Sequence, residues 1–315
     1  MKQALGLLKT MRPKQWTKNG FIFAALIFDK KIFEPPYFWR TMAGFMLFSL
    51  LSGVVYILND LLDLSKIEAG KLELEHVDFD LRRTLDELVG LFAEPAQAKG
   101  IELILHVDET VPPALRGDCG RLRQILTNLI TNAIKFTEQG EVVVRIGMAP
   151  HEGERVVLRF QVSDTGIGID ADTQTRLFSA FSQADNSTTR KYGGTGLGLA
   201  ISKELVGLFG GEIGVTSELG HGATFWFTVP FATQQDATPY APPRPASLHH
   251  LRVLVVDDNA TNREILCSQL AGLGLRADSV AGGQEALRAL LGAAGRDPYR
   301  IAILDMHMPG MDGLE

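Results

Sequence analysis

Four short stretches follow one another in order between Asn128 and Ser202: NLITNAIKF, DTGIGID, LFSAFSQ and GGTGLGLAIS. Nothing else in the chain restricts the fold as tightly. The first has helical spacing, the second closes a strand and the fourth opens a helix. Asn128, Asn132 and Lys135 stand at i, i+4 and i+7 and share one helix face. Ile125, Leu129, Ala133 and Phe136 line a neighbouring face that can pack on a sheet. Amide oxygens suit a hard Mg²⁺ ion, and a lysine beside them suits the charge of a polyphosphate. Asp164 follows a strand directly, where a carboxylate can accept from the exocyclic amine of adenine. Gly166 and Gly168 would let the backbone pass beneath the flat base. Gly193, Gly194, Gly196 and Gly198 come just before a helix, whose N-terminus and backbone N–H groups can face phosphate oxygens. Taken singly, the helix also fits an amphipathic helix with a polar outer face, and each glycine run also fits a tight turn. Two other nucleotide signatures fail on spacing: G-x-x-x-x-G-K-[ST] is absent, and GGTGLGL gives no G-x-G-x-x-G after a strand.

The 315 residues suffice for about two domains. A net charge of -6 offers no basic footprint for nucleic acid, so none is expected as a partner. Cys119 and Cys267 fall in different segments and make no disulfide framework, which fits a reducing compartment. The charge is unevenly spread. Residues 1–40 are rich in Lys and Arg against only Asp29 and Glu34, and Thr41–Leu58 has no charge at all. Two membrane spans are expected, over about residues 16–33 and 41–58, with Trp16, Tyr37, Phe38 and Trp39 as interfacial aromatics. Downstream, strand and helix patterns alternate: strand-like LELEHVDFD, a helix ending at Gly100, strand IELILHV, a helix from about Arg121 to Phe136, then EVVVRIGM and RVVLRFQVSD as paired strands. Residues 165–195 read as loop. Residues 232–250, rich in Pro and Ala, read as a linker.

In this order and together, the four motifs resemble those of the histidine-kinase ATPase domain of sensor kinases, within the GHKL class of ATP-binding folds. The resemblance covers about Leu58 to Phe231. It implies an α+β protein whose ATPase domain, residues 71–231, is a two-layer α/β sandwich that binds ATP with Mg²⁺ under a mobile lid. It carries over to Asn128, Asn132 and Lys135 as catalytic and nucleotide-binding residues, with Asn132 on the metal. Asp164, Gly166 and Gly168 match the first glycine motif, and Gly194, Gly196, Leu197 and Gly198 the second. Phe178 and Phe181 match the lid's aromatic motif. Arg190, Lys191 and Tyr192 sit where lid residues touch phosphate or ring, and Thr224 sits near the nucleotide.

RVLVVDDNATNR and IAILDMHMPGMDGLE resemble the start of a response-regulator receiver domain, assigned to residues 251–315. The resemblance implies a doubly wound sheet with Asp257, Asp258 and Asp305 around Mg²⁺, and Asp305 as phosphoacceptor. The strands that would complete phosphotransfer are not in this sequence. The receiver part is therefore expected to be an incomplete doubly wound unit that does not form a stable phosphorylatable domain. Of the histidines His76, His106, His151, His221, His249, His250 and His307, none lies in the family's phosphoacceptor motif. LNDLLDLSKIEAG, Leu58 to Gly70, matches only the second helix of the dimerising hairpin, whose remnant is assigned to residues 59–70. Autophosphorylation is thus doubtful, and a histidine-containing dimerisation domain or phosphotransfer partner, together with a response regulator, is expected in trans.

Residues 1–58, with Asn59, Asp60 and Asp63, also resemble the first membrane helices of intramembrane prenyltransferases, specifically the polyprenyl-phosphate phosphoribosyltransferases. There an N-D-x-x-D motif binds a magnesium diphosphate. SKIEAGKL continues the kinase pattern without a break, so Asp60 and Asp63 are expected to be solvated helix charges. The expected function is a histidine protein kinase of a phosphorelay, tethered to the inner membrane with its ATP-binding and receiver parts in the cytoplasm. The alternatives are a non-catalytic ATP-binding module and a prenyltransferase fragment.

Overall fold

Along strand β7 (Ala223–Thr233) every second residue is buried: Ala223, Phe225, Phe227, Val229 and Phe231. That period of two marks a strand with one face on a core, and β7 is the centre of its sheet. The computed structural model describes residues 35–150, 155–180, 196–234 and 250–306, with 308, 310, 311 and 313. The chain divides into two units, Met1–Leu105 with Ala114–Thr233, and His106–Pro113 with Gln234–Glu315.

In the first unit the elements are α1 (Pro35–Glu68), β1 (Val77–Asp80), α2 (Leu81–Gln97), β2 (Ile101–Val107), β3 (Ala114–Gly117), α3 (Cys119–Phe136), β4 (Gly140–Met148), β5 (Val156–Asp164), a single turn α4 (Ala171–Gln174), α5 (Gly198–Phe209), β6 (Ile213–Ser217) and β7. The strands run β1-β3-β7-β5-β4-β2, and β6 also pairs with β7. β5 pairs antiparallel with both β4 and β7, which puts Asp164 level with Val142 and Ala223. Helices α3 and α5 pack on this sheet and α2 packs on α3, giving two layers. The core is close-packed aromatic and aliphatic: Phe160 stacks on Phe227 at 4.7 Å, and Phe79 meets Phe231 edge-on at 5.6 Å. Leu122, Ile125, Leu126, Leu129 and Ile130 of α3 are fully buried against it.

Helices α2 and α3 start where the sequence supplies an acceptor. Asp80 caps α2 by accepting from the Arg83 N–H, and Asp118 caps α3 by accepting from the Arg121 N–H, both at 2.9 Å. Asp118 also accepts from the Glu75 N–H at 3.1 Å, so the α3 cap fastens the segment ahead of β1. Leu72–His76 has no regular structure, so the strand expected over LELEHVDFD starts only at Val77.

α1 is a 34-residue helix that contains Thr41–Leu58. Its end lies against α5, with Ile67 buried, while Leu47, Leu51, Val55, Leu58 and Leu62 are exposed. Among the described residues no helix is long and apolar enough to cross a membrane. The span expected over 41–58 is therefore not shown, and the one over 16–33 lies outside the described residues. Asn59 and Asp60 fall within α1, as does Asp63, but their side chains are outside the described set.

The second unit has β8 (Arg252–Val256), α6 (Ala260–Gly272), β9 (Arg276–Val280), α7 (Gly283–Ala293) and β10 (Ile301–Leu304). Its strands are parallel, in the order β10-β8-β9. β8 is the buried middle strand, and Leu254, Val256, Ala286 and Met308 form a cluster on it. Ile301 and Leu304 on β10 are exposed.

Candidate nucleotide site and acidic cluster

α3 presents Asn128, Asn132 and Lys135 along the boundary of its buried face, each half-exposed. The expected apolar face forms beside them: Ile125, Leu129 and Ala133 are buried and Phe136 half-buried. Asn128 turns toward α5, and its Nδ2 donates to Ser202 Oγ at 3.0 Å. Its Oδ1 lies against Gly198, so a Cβ at that glycine would collide with it at 2.2 Å. Asn132 Nδ2 points at the same oxygen from 3.5 Å. Lys135 sits with its Nζ 4.6 Å from the centre of the Phe136 ring. Asn128, Asn132 and Gly198 thus come together where α5 begins. No side-chain cap bond is made at Leu197, and the positive end of the helix dipole lies at this start.

Asp164 closes β5 and is half-buried. Its Oδ1 accepts from the Gly166 N–H at 2.9 Å, and the Ala223 backbone N–H also donates to the carboxylate. Burial outweighs those two bonds and pushes its pKa above the ordinary carboxylate value. A donor meeting this carboxylate would relieve the cost, and an adenine amine is such a donor. Gly166 has no room for a side chain: a Cβ there would lie 2.5 Å from the Phe136 carbonyl oxygen. Gly168 adopts φ +68°, and a Cβ there would strike the Glu218 carbonyl. The loop is stitched to the β6–β7 hairpin, since Ser217 Oγ accepts from the Ile169 N–H and donates to the Gly222 carbonyl. Gln174 adds two bonds, to the carbonyls of Ile169 and Ser217. Thr224 shares a 2.9 Å hydroxyl bond with Ser163, next to the Asp164–Ala223 pair.

Phe178 packs edge-on to Phe225 with centroids 6.5 Å apart. Gly196 has φ +72°, and Leu197 is buried. Phe181, Arg190, Lys191, Tyr192, Gly193 and Gly194 lie outside the described residues. Sequence reasoning did not single out Ser202, Ser217 or Gln174, because their partners are remote in the chain. For Ser202 the only signal was its place at the end of the fourth motif.

In the second unit the ends of β8 and β10 bring three acids together. Carboxylate oxygens of Asp257, Asp258 and Asp305 lie within 4.8 Å of one another. Asp257 is buried, and burial, with the charges of Asp305 and Asp258, raises its pKa, though its bond from Asn259 opposes this. Three carboxylates brought this close offer a cluster of hard oxygens that fits a divalent cation such as Mg²⁺.

Residues 117–233 match the family described as histidine kinase-, DNA gyrase B-, and HSP90-like ATPase, and residues 253–315 match the response regulator receiver domain. The chain carries a histidine-kinase ATPase domain followed by receiver-domain sequence. It is 43% identical to the sensor histidine kinase AruS of Pseudomonas aeruginosa over 265 residues, covering 84% of this chain and 26% of that protein. It is 36% identical to the sensory/regulatory protein RpfC of Xanthomonas campestris pv. campestris, covering 85% of this chain and 40% of that one. It is 39% identical to a probable histidine kinase 5 of Oryza sativa, covering 76% and 25%. Among solved structures it is similar to full-length ShkA in complex with AMPPNP, with TM-score 0.65 and 36% identity over 79% of this chain and 50% of that one. The chain thus spans between a quarter and two-fifths of the length of these curated relatives. The prenyltransferase resemblance of residues 1–58 is not shown by any of them.

Proposed function

We propose that the chain binds ATP with Mg²⁺ in the pocket between α3, the Asp164 loop and the start of α5, and passes the γ-phosphoryl group to a histidine imidazole. Residues 71–231 form the ATPase unit in this reading, and residues 251–315 carry the receiver part. The observation that carries it is the position of Asp164: a carboxylate raised in pKa by burial, at the end of β5 and the start of a loop where Gly166 leaves no space for a side chain. The AMPPNP complex of the similar ShkA supports it.

The residues divide the work by chemistry. Asp164 accepts from the base. Asn132 offers its amide oxygen to magnesium, beside Asn128, which Ser202 holds. Lys135 supplies positive charge to the phosphates, as do the backbone N–H groups of Gly196, Leu197 and Gly198. Arg190, Lys191, Tyr192 and Gly194 join them from the lid by resemblance. Bound magnesium neutralises phosphate charge and so eases departure of the γ-phosphoryl group. The protein's own contribution is positioning and fixed dipoles, not covalent chemistry at the nucleotide. The acceptor imidazole comes from a histidine-containing dimerisation or phosphotransfer domain, and the phosphoryl group then moves to a receiver aspartate, Asp305 here or its counterpart on a response regulator.

The N-terminal part holds the chain at the inner membrane, with both domains on the cytoplasmic side. The basic residues before Arg40 and the exposed apolar side chains of α1 support this. Alkaline extraction of membranes tests it: retention of residues 1–70 fused to a reporter supports anchoring, and full release refutes it.

Radiolabelled ATP tests the kinase reading. With a supplied histidine hairpin domain, acid-labile label on that domain supports phosphotransfer. Tight ATP binding without transfer would make the chain a regulatory nucleotide-binding module.

A further inference from the structure

The structure assigns Lys99 a positioning role at the nucleotide pocket. Lys99 follows α2 and precedes Gly100, whose φ of +69° turns the chain into β2. It belongs to none of the four motifs and lies outside residues 117–233. Its Nζ donates to the carbonyl oxygens of Ile134 at 2.5 Å, Lys135 at 3.2 Å and Thr137 at 3.0 Å. These are carbonyls of the last turn of α3 and its C-cap. A helix leaves such carbonyls without intrahelical partners and concentrates the negative end of its dipole there. An ammonium has three N–H donors to offer them, so another element's side chain caps this helix through charge-assisted bonds.

That turn carries part of the pocket on its other sides. The Lys135 side chain leaves from it, and the Phe136 carbonyl oxygen lies so close to Gly166 that a Cβ there would sit 2.5 Å away. Carbonyls 134, 135 and 137 therefore face Lys99 while carbonyl 136 faces the loop of Asp164. Fixing the first three sets the rotation of the turn and hence the direction of the fourth. Gly166 in turn donates its N–H to Asp164. A chain of contacts thus runs from Lys99 through Phe136 to the carboxylate that accepts from the base. The effect on nucleotide rests on the ATP-binding reading above, whereas the effect on the loop does not.

The test uses the full chain with Lys99→Met and Lys99→Arg, well below the melting temperature of each. Lys99→Met is expected to weaken Mg-ATP binding about tenfold by calorimetry, a fraction of what losing a partly buried charged hydrogen bond can cost. Hydrogen exchange at the Gly166 amide of the nucleotide-free protein is expected to accelerate as well, and Lys99→Arg to restore both. Unchanged affinity and unchanged Gly166 exchange in folded Lys99→Met would overturn the proposal and leave Lys99 a plain helix cap. Should the unmodified chain bind no Mg-ATP, the functional reading fails, and the exchange comparison alone decides the role of Lys99. If Lys99→Met does not fold, Lys99→Gln, which keeps an amide donor, is judged by the same two readouts.

Discussion

The side chain of Asn128 on α3 donates to Ser202 Oγ on α5 across 3.0 Å, joining two helices whose sequence positions are 74 apart. Ser202 is buried, so the bond is made away from water. It holds the first residue of the NLITNAIKF helix against the helix that begins with Gly198. In the proposed ATP-binding reading, the phosphate side of the pocket is built on this link.

Replacing Ser202 with Ala leaves the Asn128 amide facing an apolar surface. The expected loss of stability is about 1–3 kcal/mol, the range for a buried polar group deprived of its partner. Chemical denaturation of the two proteins measures it. Mg-ATP affinity falls in the same variant, because Asn128 then loses its fixed orientation.

Gly166→Ala asks for space that the Phe136 carbonyl occupies. Backbone on both sides must move, and overpacking of this kind costs about 1–3 kcal/mol. The melting temperature drops and nucleotide binding weakens by more than the stability change alone explains. Calorimetry alongside thermal unfolding separates the two.

Asp164 lends itself to a pH test. Its folded pKa is raised by burial, so ionising it costs the nucleotide-free protein stability relative to the unfolded chain. That cost is absent when the carboxyl is protonated in both states. It grows as pH rises from the unfolded pKa through the folded one, and is fully present above. Asp164→Asn removes the charge, so the nucleotide-free variant is expected to be at least as stable as the original at neutral pH. The difference should close at acidic pH. Unfolding curves at several pH values check the sign.

For the acidic cluster, Mg²⁺ should bind the second unit with an affinity that Asp257→Asn or Asp305→Asn lowers at least tenfold, since each removes a hard-oxygen ligand. Tryptophan is absent from residues 250–315, so calorimetry or NMR, not intrinsic fluorescence, is the appropriate readout.

How much of this the sequence disclosed follows from how local each signal is. The α3 face of Asn128, Asn132 and Lys135 is a matter of spacing along one helix, and it stands as read. So does the strand that ends in Asp164. β3 escaped notice because Ala114–Gly117 is four residues long, follows Pro112 and Pro113, and shows no alternation. It exists through its pairing with β1 and β7, which no local pattern reports. The turn α4 fell within residues read as loop, and it forms because Asp170 accepts from the Thr173 N–H. Lys99 carried no visible signal, and Ser202 only its place at the end of the fourth motif, because their partners, the α3 carbonyls and Asn128, are brought to them only by the tertiary fold.

The most direct measurement is calorimetric titration of Mg-ATP into the chain and into its Asp164→Asn variant. One molar equivalent of heat for the original, and none for the variant at the same concentration, is the expected outcome. Silence from the original, or equal heat from both, would mean that this carboxylate holds no adenine and that the pocket described here is not a nucleotide site.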